Sequence, residues 1–107
     1  MPELEMFEGV TESLAAGYRI PEIVIYTAIN FGGKEYRTNL NITHAGGFND
    51  QISSFIIVSG IWKFYLAAGY NLPAGGELGP GYYSWVEDYG IPNDQVSSIK
   101  CVGLTQQ

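Results

Sequence analysis

The chain has 107 residues, enough for one small domain with a modest hydrophobic core. Aromatic residues make up 14% of it and charged residues only 15%, a balance that favours short strands and tight turns over long surface helices. The net charge of −6 argues against nucleic-acid binding, because few basic side chains are present to neutralise phosphates. These properties predict an all-β domain with a cation as the better-matched partner.

Cellular location and cysteine use give two further expectations. No apolar run approaches the roughly 20 residues of a membrane span, and no signal peptide is visible, since the N-terminus carries acids instead of bases. We expect no membrane contact and a cytoplasmic location, unless a leader has been removed. The single Cys101 lies in an apolar stretch and cannot form an intrachain disulfide, so we expect a buried thiol.

The first 22 residues carry an apolar pattern with helical spacing. Apolar side chains recur at intervals of three and four residues, at Leu4, Phe7, Val10 and Leu14. Gly9 interrupts the pattern and costs a helix about 1 kcal/mol relative to Ala. The pattern predicts an N-terminal extension over residues 1–22 with a short helix. Docking on the domain, pairing in a weak homodimer and a frayed or vector-derived tail all remain open for it.

A hairpin is predicted next, and it occurs twice. Residues 23–26 have the composition of a strand, Asn30-Phe31-Gly32-Gly33-Lys34 that of a tight turn, and residues 35–38 that of the return strand. Tyr65 and Tyr70 repeat the positions of Tyr26 and Phe31 at an offset of 39. Pairs of such hairpins in two packed sheets bury both apolar faces.

A seven-residue segment also occurs twice, as Asn49-Asp50-Gln51-Ile52-Ser53-Ser54-Phe55 and, 44 positions later, as Asn93-Asp94-Gln95-Val96-Ser97-Ser98-Ile99. Each copy sets an acid beside neutral oxygen donors, the arrangement that a hard cation with oxygen ligands uses. A purely structural interpretation is that Asn-Asp begins a turn and Ser-Ser begins a strand. Such a turn does not require an acid and a serine at the same spacing twice, so the repeat predicts calcium binding.

Together these elements resemble the Greek-key signature of the βγ-crystallin superfamily. The resemblance covers about residues 22–103, with one unit over 23–60 and a second over 61–103. The acidic turns are similar to the double-clamp calcium motif of microbial and invertebrate members, Asn/Asp-Asn/Asp-x-x-Ser/Thr-Ser. The resemblance implies an all-β, two-sheet β-sandwich of two four-stranded Greek keys that binds two Ca²⁺ ions per chain at one end.

The resemblance also implies a ligand set for each ion. One site takes the carboxylate of Asp50, the backbone carbonyls of Thr27 and Gln51, and the hydroxyl of Ser97. The other takes the carboxylate of Asp94, the backbone carbonyls of Leu66 and Gln95, and the hydroxyl of Ser53. Supporting roles fall to Asn49 and Asn93, which brace the turns, and to Ser54 and Ser98, which hydrogen-bond back over the folded hairpins.

The second unit departs from this pattern in two ways. Leu72 stands where the glycine matching Gly33 is expected, and Leu tolerates a positive φ badly. We therefore expect a longer, differently shaped second hairpin and a less certain ligand at Leu66. The offset between units also rises from 39 to 44, and we expect the five extra residues in the glycine-rich stretch from Leu72 to Tyr83.

The predicted function is that of a non-catalytic calcium-binding domain whose ions stabilise the fold. One histidine and one cysteine, far apart in sequence, supply no visible nucleophile and base, so no enzyme is predicted. Within the family such domains imply a structural or stress role, or low-affinity calcium buffering. The alternative is a secreted-type binding module, toxin-like or protease-inhibitor-like, on the same scaffold. We expect a monomer or a weak homodimer.

Overall fold

The fold is described from a computed structural model, which defines residues 17–39, 41–42 and 51–105. Its strands are β1 Glu22–Ala28, β2 Gly32–Thr38, β3 Ser54–Ser59, β4 Ile61–Ala67, β5 Asn71–Leu78, β6 Gly81–Tyr83 and β7 Ser98–Gly103. Two short 3₁₀ helices, Ile29–Phe31 and Val86–Tyr89, accompany them. No helix in these ranges is long and apolar enough to cross a membrane. The predicted N-terminal helix falls within residues 1–16, outside the described residues.

The strands form two antiparallel sheets, ordered β2-β1-β3-β6 and β5-β4-β7. Strand β6 of the second unit joins the sheet of the first, with Tyr83 opposite Phe55. In the reverse direction, Ile42 of the first unit bridges to Ile99 on β7. The second unit therefore contributes its third strand to the sheet of the first. In return, the first unit contributes the bridge at Ile42 to the sheet of the second. This confirms the predicted all-β sandwich of two Greek-key motifs.

The core lies between the two sheets. Strands β1, β3 and β4 supply half of its buried side chains, Ile23, Ile25, Phe55, Ile57, Trp62 and Phe64. The other half comes from β7 and the connecting segments, as Ile52, Val86, Ile91, Val96, Ile99 and Cys101. The Phe55 ring lies 4.5 Å from that of Phe64 and 4.7 Å from that of Tyr83, so it joins both units. Cys101 is fully buried, as predicted, and burial raises the pKa of its thiol.

In the first unit, a buried serine fixes the folded hairpin. The Ser54 hydroxyl donates to the Ala28 carbonyl at 2.6 Å and accepts from the Phe31 N–H at 3.0 Å. The Phe31 ring folds back against that of Tyr26, edge to face, with 5.7 Å between centroids. Ser54 therefore bonds back over the folded hairpin.

The second unit repeats this corner. The Ser98 hydroxyl donates to the Ala67 carbonyl at 2.7 Å and accepts from the Tyr70 N–H at 3.1 Å. The Tyr65 and Tyr70 rings also meet edge to face at 5.7 Å. Ser98 therefore bonds back over the second hairpin as Ser54 does over the first.

The second hairpin is longer and differently shaped in its strands, as expected, because β5 has eight residues against seven in β2 and the register shifts between Trp62 and Phe64 instead of beside the turn. The expectation was wrong for the turn itself. Leu72 adopts φ 57°, close to the φ 74° of Gly33, and the two turns keep the same corner bonds and ring pairs. The Leu72 side chain is 65% exposed, so it meets no obstacle in this conformation. The bonds to Ser98 hold the turn in spite of the local backbone preference of Leu.

The position of the five extra residues also needs correction. The two interunit pairs, Ile42 with Ile99 and Tyr83 with Phe55, make Ile42 the counterpart of Tyr83, at an offset of 41. Two extra residues therefore precede β6, within the predicted stretch. The other three follow β6, in the segment that contains the Val86–Tyr89 helix.

Candidate metal centre

Ser53 lies immediately before β3, and its backbone is fixed on both sides. Its N–H donates to the Tyr26 carbonyl at 3.0 Å, and its carbonyl accepts from the Val86 N–H at 3.0 Å. Only 4% of the residue is exposed. The Ser53 hydroxyl therefore projects from a rigid point at which the two units meet.

Two oxygen atoms from other parts of the chain approach this hydroxyl and form a cluster of three oxygens with it. Ser53 Oγ lies 3.2 Å from the Thr27 carbonyl oxygen and 2.6 Å from Asn93 Oδ1. A hydroxyl has one hydrogen, so it cannot donate fully to both acceptors at once. A cluster with more acceptor oxygens than hydrogens fits a hard cation, which takes carbonyl, amide and hydroxyl oxygens together.

The acidic turn of the second unit lies against this cluster. The N–H of Asp94 points to the Ile52 carbonyl at 3.5 Å, and Asp94 takes a left-handed φ of 59°. The Asp94 carboxylate is exposed and belongs to the residue after Asn93. The cluster therefore has an acidic residue, Asp94, directly after Asn93 in the chain.

Glu87 contacts the same turn and was not predicted from the sequence. Its carboxylate accepts a hydrogen bond from the Asn93 N–H at 3.1 Å. Glu87 belongs to the segment with three extra residues, which has no counterpart of equal length in the first unit. The three extra residues after β6 were the only feature of the sequence that could have drawn attention to Glu87.

The Thr27 carbonyl is held by the first hairpin. The Thr27 hydroxyl accepts from the Lys34 N–H at 2.8 Å, which ties β1 to the return strand. A side chain at position 33 would place its Cβ 2.3 Å from Thr27 Oγ1. Gly33 is therefore required both by its positive φ and by the close approach of Thr27.

The remaining predicted ligands are distributed as follows. Asn49 and Asp50 lie outside the described residues, so the geometry of the Asp50 turn is not defined. Gln51 and Gln95 are exposed. The Ser97 N–H donates to the Tyr65 carbonyl at 2.8 Å, the counterpart of the bond from Ser53 to Tyr26, and half-buried Leu66 directly follows Tyr65.

This geometry pairs the Thr27 and Leu66 carbonyls with different serines from those that the resemblance implied. The sequence assigned Thr27 to the site of Asp50 and Ser97, yet its oxygen lies beside Ser53 and Asn93. The matching bond from the Ser97 N–H to the Tyr65 carbonyl predicts that the Leu66 carbonyl lies on the side of Ser97. The metal-binding roles of these residues stay predictions.

A family comparison agrees with the architecture. The sequence model of the beta/gamma crystallin family matches residues 22–102, most of the chain. The chain belongs to the beta/gamma crystallin family. The resemblance seen in the sequence is thereby confirmed.

Individual relatives of this βγ-crystallin domain come from animals and archaea. A beta/gamma-crystallin of Ciona intestinalis is 35% identical over 81 residues, which cover 74% of this chain and 95% of the relative. An archaeal βγ-crystallin of known crystal structure has 38% sequence identity to this chain and a TM-score of 0.73. The match covers 78% of this chain and 100% of the archaeal chain. A transition-metal-ion-binding βγ-crystallin from Methanosaeta thermophila is 28% identical, with a TM-score of 0.67, and covers 75% and 99%.

The donor chemistry of this βγ-crystallin domain is mainly that of neutral oxygen. In the described ranges, no group of three or more His, Cys, Asp and Glu side chains is placed to hold a metal. The described cluster instead offers one carbonyl, one hydroxyl and one amide oxygen, with Asp94 adjacent. Such donors suit calcium better than softer transition metals.

Proposed function

We propose that this βγ-crystallin domain is a non-catalytic calcium-binding protein that takes two Ca²⁺ ions per chain. The observation that carries the proposal is the convergence of the Thr27 carbonyl, the Ser53 hydroxyl and the Asn93 amide oxygen, with Asp94 next to them. These groups come from both units. An ion bound to Thr27, Ser53 and Asp94, with Asn93 bracing the turn beside it, clamps the two units together at one end of the sandwich.

The proposed ligand sets combine the repeat with this geometry. One ion takes the Asp94 carboxylate, the Ser53 hydroxyl and the backbone carbonyls of Thr27 and Gln95. The other takes the Asp50 carboxylate, the Ser97 hydroxyl and the backbone carbonyls of Leu66 and Gln51. Waters complete the six to eight oxygens that Ca²⁺ accepts at about 2.3–2.6 Å.

Calcium is preferred to other metals because of these donors. Mg²⁺ demands a small octahedral shell and gives up water reluctantly, so it should compete poorly. The relative from Methanosaeta thermophila is described as binding transition-metal ions. Imidazole and thiolate favour such ions, whereas Cys101 is buried in the core here. One charged ligand per site implies affinities from roughly micromolar to sub-millimolar.

The proposed physiological role is stabilisation of the fold, in a structural or stress protein or a low-affinity calcium buffer. Ions that join the two units stabilise the folded chain because they do not bind the unfolded one. A cytoplasmic location and a monomeric or weakly dimeric state form part of the same proposal.

Calcium titration of the metal-free protein tests the proposal, with amide NMR spectra to report each acidic turn separately. Ser53→Ala removes a ligand of the Asp94 site and should weaken that site at least about tenfold, which corresponds to about 1.4 kcal/mol. The Asp50 site should change little. Ser97→Ala should have the reverse effect, because each serine is proposed to serve the turn of the other unit.

Asp88→Asn is the control for general electrostatics, since it removes an exposed charge near the turn without touching a proposed ligand. A flat calcium titration at millimolar concentration would contradict the proposal. Weakening of the Asp50 site by Ser53→Ala would contradict the exchange of ligands between units. Tighter binding of zinc than of calcium would contradict the choice of metal.

A further inference from the structure

We propose that Glu87 is a positioning residue that holds the second acidic turn in its cation-binding shape. The inference rests on the proposed calcium function and extends it to a residue outside the repeated motif. Its basis is the hydrogen bond from the Asn93 N–H to the Glu87 carboxylate at 3.1 Å.

The helix that carries Glu87 is anchored at both ends. Val86 and Ile91 are fully buried, and the Ile91 N–H donates to the Val86 carbonyl at 3.2 Å. Gly90 closes the turn with φ 79° and donates to the Glu87 carbonyl at 3.3 Å. The backbone of Glu87 is therefore fixed, although its carboxylate is exposed.

Hydrogen bonds join this helix to the oxygen cluster in a closed ring. The Val86 N–H donates to the Ser53 carbonyl at 3.0 Å, and the Ser53 hydroxyl lies 2.6 Å from Asn93 Oδ1. The bond from the Asn93 N–H to Glu87 completes the circuit. Each link limits the freedom of the next, so Glu87 fixes the distance between Asn93 and Ser53.

A turn held in its bound shape loses less conformational freedom when an ion binds. Glu87 therefore raises the affinity of the Asp94 site without contacting the ion. The three extra residues after β6 supply this brace to the second unit. Its effect is accordingly confined to the Asp94 site and does not extend to the Asp50 site.

Two substitutions separate the hydrogen bond from the charge. Glu87→Ala removes both and should weaken calcium binding at the Asp94 turn by about three- to tenfold. Glu87→Gln keeps an acceptor oxygen, so its affinity should stay within about twofold of wild type. Asp88→Asn removes a neighbouring exposed charge and should also stay within about twofold, because a solvated charge is strongly screened.

A readout in metal-free protein tests the brace independently of calcium. The amide proton of Asn93 should exchange faster with solvent in Glu87→Ala and should stay protected in Glu87→Gln. Titrations of all variants with calcium chloride, followed by amide NMR, then give the affinity of each turn.

The outcomes distinguish this inference from the proposed function. Calcium binding by wild type with equal affinities in Glu87→Ala would overturn the inference alone. Equal weakening in Glu87→Ala and Glu87→Gln would show a charge effect and would also overturn it. Absence of calcium binding in wild type would refute the proposed function and the affinity role of Glu87, while Asn93 exchange would still report whether Glu87 holds the turn.

Discussion

At the scale of single residues, Leu72 carries backbone strain that its counterpart Gly33 avoids. A left-handed φ brings the Cβ of an L-residue close to the following carbonyl oxygen, at a cost of about 1–2 kcal/mol. With 65% of its surface exposed, Leu72 gains little from packing to offset that cost. The strain persists because the Ser98 corner determines the shape of the turn.

Leu72→Gly should therefore raise the free energy of unfolding by up to about 1 kcal/mol, after allowance of roughly 0.5–1 kcal/mol for the greater chain entropy of glycine. The expected rise in melting temperature is about 4–8 °C per kcal/mol. Thermal and urea unfolding measure it. Gly33→Leu is the matched control and should destabilise, because its Cβ would lie 2.3 Å from Thr27 Oγ1. A lower stability of Leu72→Gly would show that the Leu side chain contributes more than its exposure suggests.

At the scale of elements, the two serine corners fold each hairpin over its own sheet. Ser54 and Ser98 are both fully buried, and each satisfies one backbone carbonyl and one backbone N–H. Loss of either hydroxyl leaves two backbone groups without their partner in a region that water reaches poorly. Such groups are costly, because they lose hydration without a replacement bond.

Ser54→Ala and Ser98→Ala should each lower the free energy of unfolding by about 1–3 kcal/mol, the range for buried groups that lose a partner. Chemical denaturation in the presence of a calcium chelator measures the effect without the contribution of bound ions. Ser84→Ala is a suitable control, because the Ser84 side chain is half-buried and belongs to neither serine corner. Equal stabilities for the control and the two corner variants would refute the corner role.

At the scale of the whole molecule, the exchange of third strands makes one folding unit of the two repeats. Strand β6 pairs with β3, and Ile42 bridges to β7, so neither sheet is complete without the other unit. The Phe55 ring also packs between Phe64 and Tyr83 of the second unit. Opening one unit alone would expose the core of both.

The described domain should consequently unfold in one transition. Far-UV circular dichroism, tryptophan fluorescence and the reactivity of Cys101 with a thiol reagent should give the same midpoint. The thiol is protected twice, because it is buried and because burial raises its pKa. Burial of the neutral thiol contributes to the free energy of unfolding in full below the ordinary thiol pKa of 9.0. This contribution is lost as the pH rises through the higher pKa of the folded state. Reaction of Cys101 well before the loss of circular dichroism would indicate separate opening of the second unit.

The features encoded by local repeats could be predicted from the sequence. The hairpins, the paired rings and the serine corners depend on short, repeated spacings. The conformation of Leu72 could not be predicted, because the bonds to Ser98 override its local preference. The place of the extra residues became clear only from the bridge between Ile42 and Ile99. Glu87 was missed because its bond to Asn93 depends on a turn that the first unit lacks at equal length.

Thermal unfolding of the same protein with calcium and with a chelator tests the central claim most directly. An ion that binds only the folded chain adds RT ln(1 + [Ca]/Kd), about 2.7 kcal/mol per site at a hundredfold excess over Kd. The melting temperature should rise by at least about 10 °C, and the rise should be smaller in Ser53→Ala. The chelated protein should stay folded, because its hydrophobic core is built from side chains that are not proposed ligands. Identical midpoints with calcium and with chelator would contradict the account and leave the acidic turns a purely structural role.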